Sequence, residues 1–331
     1  MMIDAMKRLM MGVGVALLAV GCGGGSKGDV ILDPPAASEG FQLNVPKFDV
    51  AAGDEVQNCY FYAVPGTPGQ DVWINHFKLA ANVGTHHVNI FRVKTIVGLS
   101  GNPGDVVESK NGMGPCFVSS NWADWPLVVN TQQGGSTVDW TMPDGVGQRF
   151  TPGELLMVQI HFVNATTQQA PDGGRGAANF YYMQAPPANE MGTIFATNQN
   201  IRVCPGDNDK TFETHCKTPL TGATIIAANG HFHSRGVEFT MNVTDALGND
   251  MLPQPFYTSD TWNEPPMTLG LDIKIPDGGG VSWTCEFSAD PSSCGNPNDS
   301  CCFTFGGKVE SQEHCNAFIY YYPKIQDYSC F

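Results

Sequence analysis

Imidazole is the side chain best suited to bind transition metals near neutral pH, and this chain distributes its eight histidines unevenly. His86 and His87 are adjacent in GTHHVNIF, and His161 stands in LLMVQIHFV. His231 and His233 are two apart in NGHFHSRG, and His314 precedes a cysteine in SQEHCNAFIYYYP. Two histidines spaced by two on a β-strand leave the same face with Cα atoms roughly 7 Å apart. From that span two nitrogens can reach one ion at about 2.0 Å. A regular strand sends adjacent residues to opposite faces. His86 and His87 can therefore share an ion only where the strand is bulged or ending, and Gly84 just before them suits such a bulge. His161 shares a face with Gln159, while Val158, Ile160 and Phe162 point to the core. The plain alternative for each is a solvated or packed histidine. His76 and His215 are read that way, because no spacing ties them to the rest.

These positions presuppose strands, and the surrounding sequence supplies them. FQLNV, NCYFYAV, VWINHFKL, HHVNIFRV, LLMVQIHFV, NFYYMQ, TIIAANGHFH, VEFTMNV, VSWTCEF and AFIYYY alternate or run apolar between turn signals rich in PG, NG, DGGG and NPND. No segment sustains an apolar helical period, and no glycine-rich nucleotide loop is present. With 331 residues, 42% hydrophobic content, 38 Gly and 23 Pro, the chain is predicted to be all-β. Its length exceeds what one core ordinarily fills. Pro186 and Pro187 in MQAPPANEMG break the strand pattern, so the expectation is two tandem antiparallel β-sandwich domains, 41–186 and 187–331. A formal charge of −15 speaks against nucleic acid as a partner, since phosphate binding needs a basic face.

Residues 1–21 carry Lys7 and Arg8 before an apolar run from Leu9 to Val20, which is too short to span a bilayer comfortably and has the form of an export signal. LAVGC resembles a bacterial lipoprotein signal, with Cys22 as the lipidated first residue. Residues 22–40 read as a flexible tether. The expected location is the bacterial cell envelope, with membrane contact through the lipid anchor alone. Setting Cys22 aside leaves an even number of cysteines, for which disulfides are the default in an exported chain.

Taken in order, THHVNIF, MPDGVGQRF, VQIHF, GHFH and QEHCNAFIYYYP resemble the signature of the copper type II, ascorbate-dependent monooxygenases. This is the family of peptidylglycine α-hydroxylating and dopamine β-monooxygenases. Their pattern is an HH pair on a strand, a PxGVG turn, a Q-V-H strand, HTH, and a strand EMCxxYxxYYxP. The resemblance runs from about Phe41 to Pro323. It implies two jelly-roll-like β-sandwich domains with one copper on each. His86, His87 and His161 would hold an electron-storing copper; His231, His233 and a third ligand would hold an oxygen-activating one. The family's third ligand is a methionine at the position of His314, so the resemblance makes His314 the third ligand here. Met241, Met251 and Met267 are the alternatives, and spacing favours none of the three. By the same resemblance Cys59 pairs with Cys116, Cys216 with Cys330, and Cys285 with Cys315. The pairing of Cys204, Cys294, Cys301 and Cys302 stays open.

The resemblance implies a monooxygenase using two copper ions, O2, and ascorbate or another one-electron reductant to hydroxylate a substrate C–H bond. A soft thioether favours Cu(I), whereas the imidazole that replaces it suits Cu(II) and zinc about equally. The arginine with which peptide-hydroxylating members grip a substrate carboxylate is Asn229 here, which makes no charge-assisted bidentate contact. A tyrosine partner of that carboxylate is Phe318, whereas Gln159 and Asn316 match. An uncharged or apolar substrate and a monomeric protein are therefore expected. The second reading is a non-catalytic exported copper-binding lipoprotein on the same fold. The third is a three-histidine zinc site like that of a β-rich carbonic anhydrase, which leaves His86, His87 and His161 unexplained.

Overall fold

The computed structural model describes residues 32–99, 101–111, 116, 124–218 and 220–331. The segment 1–21, Cys22 and the first part of the tether lie outside the described residues. Among the described residues the regular elements are all strands, and no helix is long and apolar enough to cross a membrane. The chain is an all-β protein built on the sandwich principle.

Strand pairing divides it in two. In residues 40–190, one sheet runs Gly40–Phe48, Gly174–Tyr182, Val72–Ala81, Val146–Phe150 and Asn189–Glu190, with Thr137–Thr141 also paired to Val72–Ala81. The second runs Val106–Val107, Glu55–Ala63, Leu155–Val163, Thr85–Arg92 and Leu127–Thr131. In residues 192–330, one sheet runs Thr268–Lys274, Thr224–Phe232, Cys315–Tyr322, Gly192–Thr197 and Tyr328–Cys330. Its companion runs Lys210–Lys217, Gly280–Phe287, Gly236–Thr244 and Tyr257–Ser259. The change of pairing falls between Glu190 and Gly192, a few residues after the Pro186–Pro187 break.

Apolar packing does not stop at that point. Residues Ile31–Phe331 form one compact unit, and side-chain alternation explains why. Along Thr224–Phe232 and Cys315–Tyr322, the residues Ala228, Phe232, Ala317, Ile319 and Tyr321 join the core of the second half. Ala227, Phe318 and Tyr320, on the opposite face, join the core of the first. This second-half sheet is therefore buried on both sides, as is the first-half sheet against it. Across the seam Tyr320 donates its hydroxyl to Asn130 Oδ1 at 2.6 Å, and Thr193 Oγ1 donates to the Leu127 carbonyl at 2.9 Å. Trp140 meets Tyr320 edge-on at 4.9 Å.

Five disulfides occur among the described residues: Cys59–Cys116, Cys204–Cys302, Cys216–Cys330, Cys285–Cys315 and Cys294–Cys301. That density suggests an extracellular or periplasmic protein, since reducing compartments keep thiols open. The four cysteines whose pairing the sequence leaves open form the Cys204–Cys302 and Cys294–Cys301 bridges.

Candidate metal centre

The first histidine pair lies on Thr85–Arg92, where the ladder with Leu155–Val163 shifts register between Thr85 and His87. Two residues of one strand oppose one of its neighbour, a β-bulge that turns His86 to the side of His87. Gly84 stands just before it at φ +94°, and a Cβ there would overlap the Phe162 ring. His87 faces His161 directly across the ladder, and Asn89 faces Gln159. These four lie on the face opposite Val88, Ile90, Val158 and Ile160, which fill the first core. They are buried nonetheless, because the second half covers them.

The second group is built by the same rule. His231 is the cross-strand partner of Asn316, and Phe232 of Cys315. Extending that register by two residues puts His233 beside His314, on the face that looks toward the first half. The Cys285–Cys315 bridge ties the strand start next to His314 to the companion sheet.

The two faces meet at one place. Ring centroids are 5.0 Å apart for His87 and His161, 5.2 Å for His231 and His233, and 4.3 Å for His233 and His314. The distances between groups are no longer: His86 lies 4.7 Å from His231 and 5.3 Å from His233, and His87 lies 4.9 Å from His231. All six imidazoles form a single cluster at the seam. His76 and His215 take other partners, Asp139 at 2.6 Å and Glu213 at 3.0 Å. Of the residues left open as a third ligand, His314 lies against the pair. Met241 is enclosed in the second core, Met251 is half exposed to solvent, and Met267 packs on the first core.

Hydrogen bonds fix how the rings point. His231 donates Nδ1–H to Gln132 Oε1 at 2.7 Å, and His233 donates Nδ1–H to the Gln312 carbonyl at 3.0 Å. His87 donates Nε2–H to Gln159 Oε1 at 3.0 Å, and His161 donates Nε2–H to Glu55 Oε1 at 2.8 Å. A neutral imidazole has one N–H, so His87, His231 and His233 each spend it on an oxygen and keep the other nitrogen as a lone pair. His86 Nε2, His87 Nδ1 and His233 Nε2 are buried without a hydrogen-bond partner. His231 Nε2 lies 3.0 Å from His314 Nδ1, close to the roughly 3.3 Å between two tetrahedral ligands at about 2.0 Å from one ion. Oxygen acceptors behind the rings and bare nitrogens in front are the arrangement by which proteins hold metal-ligating histidines. The donor set therefore fits a transition metal. Two overlapping triads have ligand atoms within 4.8 Å of one another: His86, His87 and His161, and His86, His231 and His233.

Electrostatics agree with this. Burial, with neighbouring imidazoles adding to it, holds His86, His87, His231 and His314 well below the usual histidine pKa. His233 is pushed down to about 3, mainly by burial. Neutral rings need lose no proton to bind a cation. Burial alone would raise the Glu55 pKa, but hydrogen bonds from His161 and from the Val309 N–H, at 2.8 Å each, bring it below the usual value. One negative charge thus stands behind the cluster.

The sequence reading named neither Glu55 nor Gln132. Asn89 was within its reach, being two residues past His87 on the same strand face. Asn229 and Asn316 also face the seam; both amide atoms of Asn229 and Oδ1 of Asn316 are buried without a partner. Trp262 of the second half lies 6.0 Å from His86.

No family model matches the sequence, and no curated protein is similar enough to count as a relative. Among solved structures, the chain is similar to PNGase F, a glycosylasparaginase from Flavobacterium meningosepticum. Identity is 10% with a TM-score of 0.37, over 88% of this chain and 97% of that one. It is also similar to the major capsid protein P2 of bacteriophage PM2, at 10% identity and a TM-score of 0.27, over 85% of this chain and 97% of that one. Likenesses this loose say nothing about the histidine cluster.

Proposed function

We propose that this protein is an exported copper-dependent monooxygenase that hydroxylates a C–H bond of an uncharged substrate, using O2 and ascorbate or another one-electron reductant. The observation that carries the reading is the convergence of six imidazoles, five of them buried, with the N–H groups of His87, His161, His231 and His233 tied back to oxygens. When bound, copper would supply the one-electron redox chemistry and the activation of oxygen. His86, His87 and His161 would hold one ion; His231, His233 and His314 would hold the other.

The chain does the rest. Gln159, Gln132 and the Gln312 carbonyl fix which nitrogen of His87, His231 and His233 is bare. Glu55 sets a negative charge against the incoming cations. The doubly covered sheets exclude water and keep the site at low dielectric. Asn229 and Asn316 offer unpaired amide groups that would hold a neutral polar group of the substrate, and the absence of a cation at Asn229 disfavours a carboxylate. Two sandwich domains, a lipid anchor at Cys22 and residence in the bacterial envelope belong to the same proposal.

Copper-loaded protein reduced with ascorbate is expected to consume O2 faster than free copper at equal concentration, and His231→Ala is expected to lose the excess. Uptake equal to the free-copper control, unchanged in the variant, would leave the non-catalytic copper-binding reading. The imidazole of His314 and the neutral Asn229 favour that second reading, because each replaces a group the family uses in turnover.

A further inference from the structure

His86 occupies an unusual place in the cluster. Its strand belongs to the first half, yet its ring is nearer to His231, at 4.7 Å, than to His87 or His161, at 5.4 and 5.3 Å. Its Nε2 is buried with no partner, and it is the one residue shared by both ligand triads. A single nitrogen cannot ligate two ions in separate sites at once.

We infer that His86, His231 and His233 form a third, seam-bridging ligand set that takes the first metal ion, and that a second ion returns His86 to His87 and His161. The inference rests on reading the cluster as a metal centre. It departs from one independent site per half.

Further hydrogen bonds make the second site dependent on the first half. The acceptor that orients His231 is Gln132, from the far side of the seam. Gln132 Nε2 in turn donates to Asn89 Oδ1 at 3.2 Å, and Asn89 Nδ2 donates to Gln159 Oε1 at 3.1 Å. Gln159 accepts from His87, so a chain of side-chain amides joins a ligand of each group. Glu55, behind His161, also holds the Val309 N–H of the second half. An ion on His86, His231 and His233 would close the seam between the same two halves that these bonds already connect.

The test is stepwise addition of Cu(II), without reductant, followed by electron paramagnetic resonance. One equivalent is expected to give a spectrum that His231→Ala changes and His161→Ala leaves unchanged. His86→Ala is expected to weaken binding of this first equivalent by about tenfold or more. A second equivalent is expected to alter the first signal and produce magnetic coupling between the ions. A first-equivalent spectrum changed by His161→Ala but not by His231→Ala, with the second equivalent adding independently, would overturn the inference.

Hydrogen exchange on the unmutated protein keeps the test free of folding defects. One equivalent of Zn(II) is expected to slow amide exchange in both Thr85–Arg92 and Thr224–Phe232. Protection confined to one of these strands would contradict the seam-bridging set. Neither readout involves turnover. A protein that binds in this order but consumes no O2 would refute the oxygenase reading alone; one that consumes O2 with independent sites would refute the bridging set alone.

Discussion

A histidine buried without a proton acquires that state at a cost to the unfolded chain's freedom to protonate. In the unfolded chain each imidazole takes its proton near pH 6.5. In the folded protein, burial first and neighbouring rings second hold His86, His87, His231 and His314 well below that, and His233 at about 3. At these five rings, therefore, the unfolded state binds more protons than the folded one below pH 6.5. The stability that goes with neutral rings is fully present above pH 6.5 and is lost as pH falls from there toward 3. Denaturant unfolding of metal-free protein between pH 7 and pH 4 is expected to show this loss, with a shallower slope in His86→Asn. A pH-independent unfolding free energy across that range would contradict the pairing of burial with neutrality. At this scale the sequence was legible where spacing speaks. HFH declared a shared strand face, and His314 entered by its place before CNAFIYYY. Glu55 and Gln132 were not legible, because nothing local marks a carboxylate or an amide as the acceptor for a ring 106 or 99 residues away.

At the scale of elements, the adjacent pair depended on a condition the sequence stated but could not meet by itself. His86 and His87 share a side only if the strand is bulged, and the register shift between Thr85 and His87 supplies the bulge. Gly84 permits it, with a positive φ and no Cβ against the Phe162 ring. Gly84→Val is expected to destabilise the protein by about 2 kcal/mol or more, combining a disfavoured backbone region with ring overlap. It is also expected to weaken metal binding through His86. An unfolding midpoint equal to that of the parent would show that the bulge does not require glycine. Alternation correctly assigned Val158, Ile160 and Phe162 to the core. It gave no sign that the opposite face, Gln159 and His161, would be equally buried. A polar alternate face reads as solvent-exposed, and only the packing of a second sheet, remote in sequence, turns it into an interior.

For the whole molecule, composition and turn density were enough to indicate an all-β chain rich in disulfides. The relation between the halves was not written in them. Strand pairing changes a few residues after Pro186 and Pro187, but apolar contacts such as Phe91 with Phe195 and Trp140 with Tyr320 carry the first core across that point. The histidines that the family resemblance assigns to separate halves consequently converge at their seam. The copper centre proposed for this convergence is made of imidazole alone. X-ray absorption on the reduced, copper-loaded protein tests it most directly. The expected result is copper retained after dialysis, with a first shell of nitrogen, the outer-shell scattering of imidazole rings, and no sulfur. Copper lost on dialysis, or a copper–sulfur scatterer in the unmutated protein, would contradict it: the first would deny the centre, and the second would put a methionine where His314 stands.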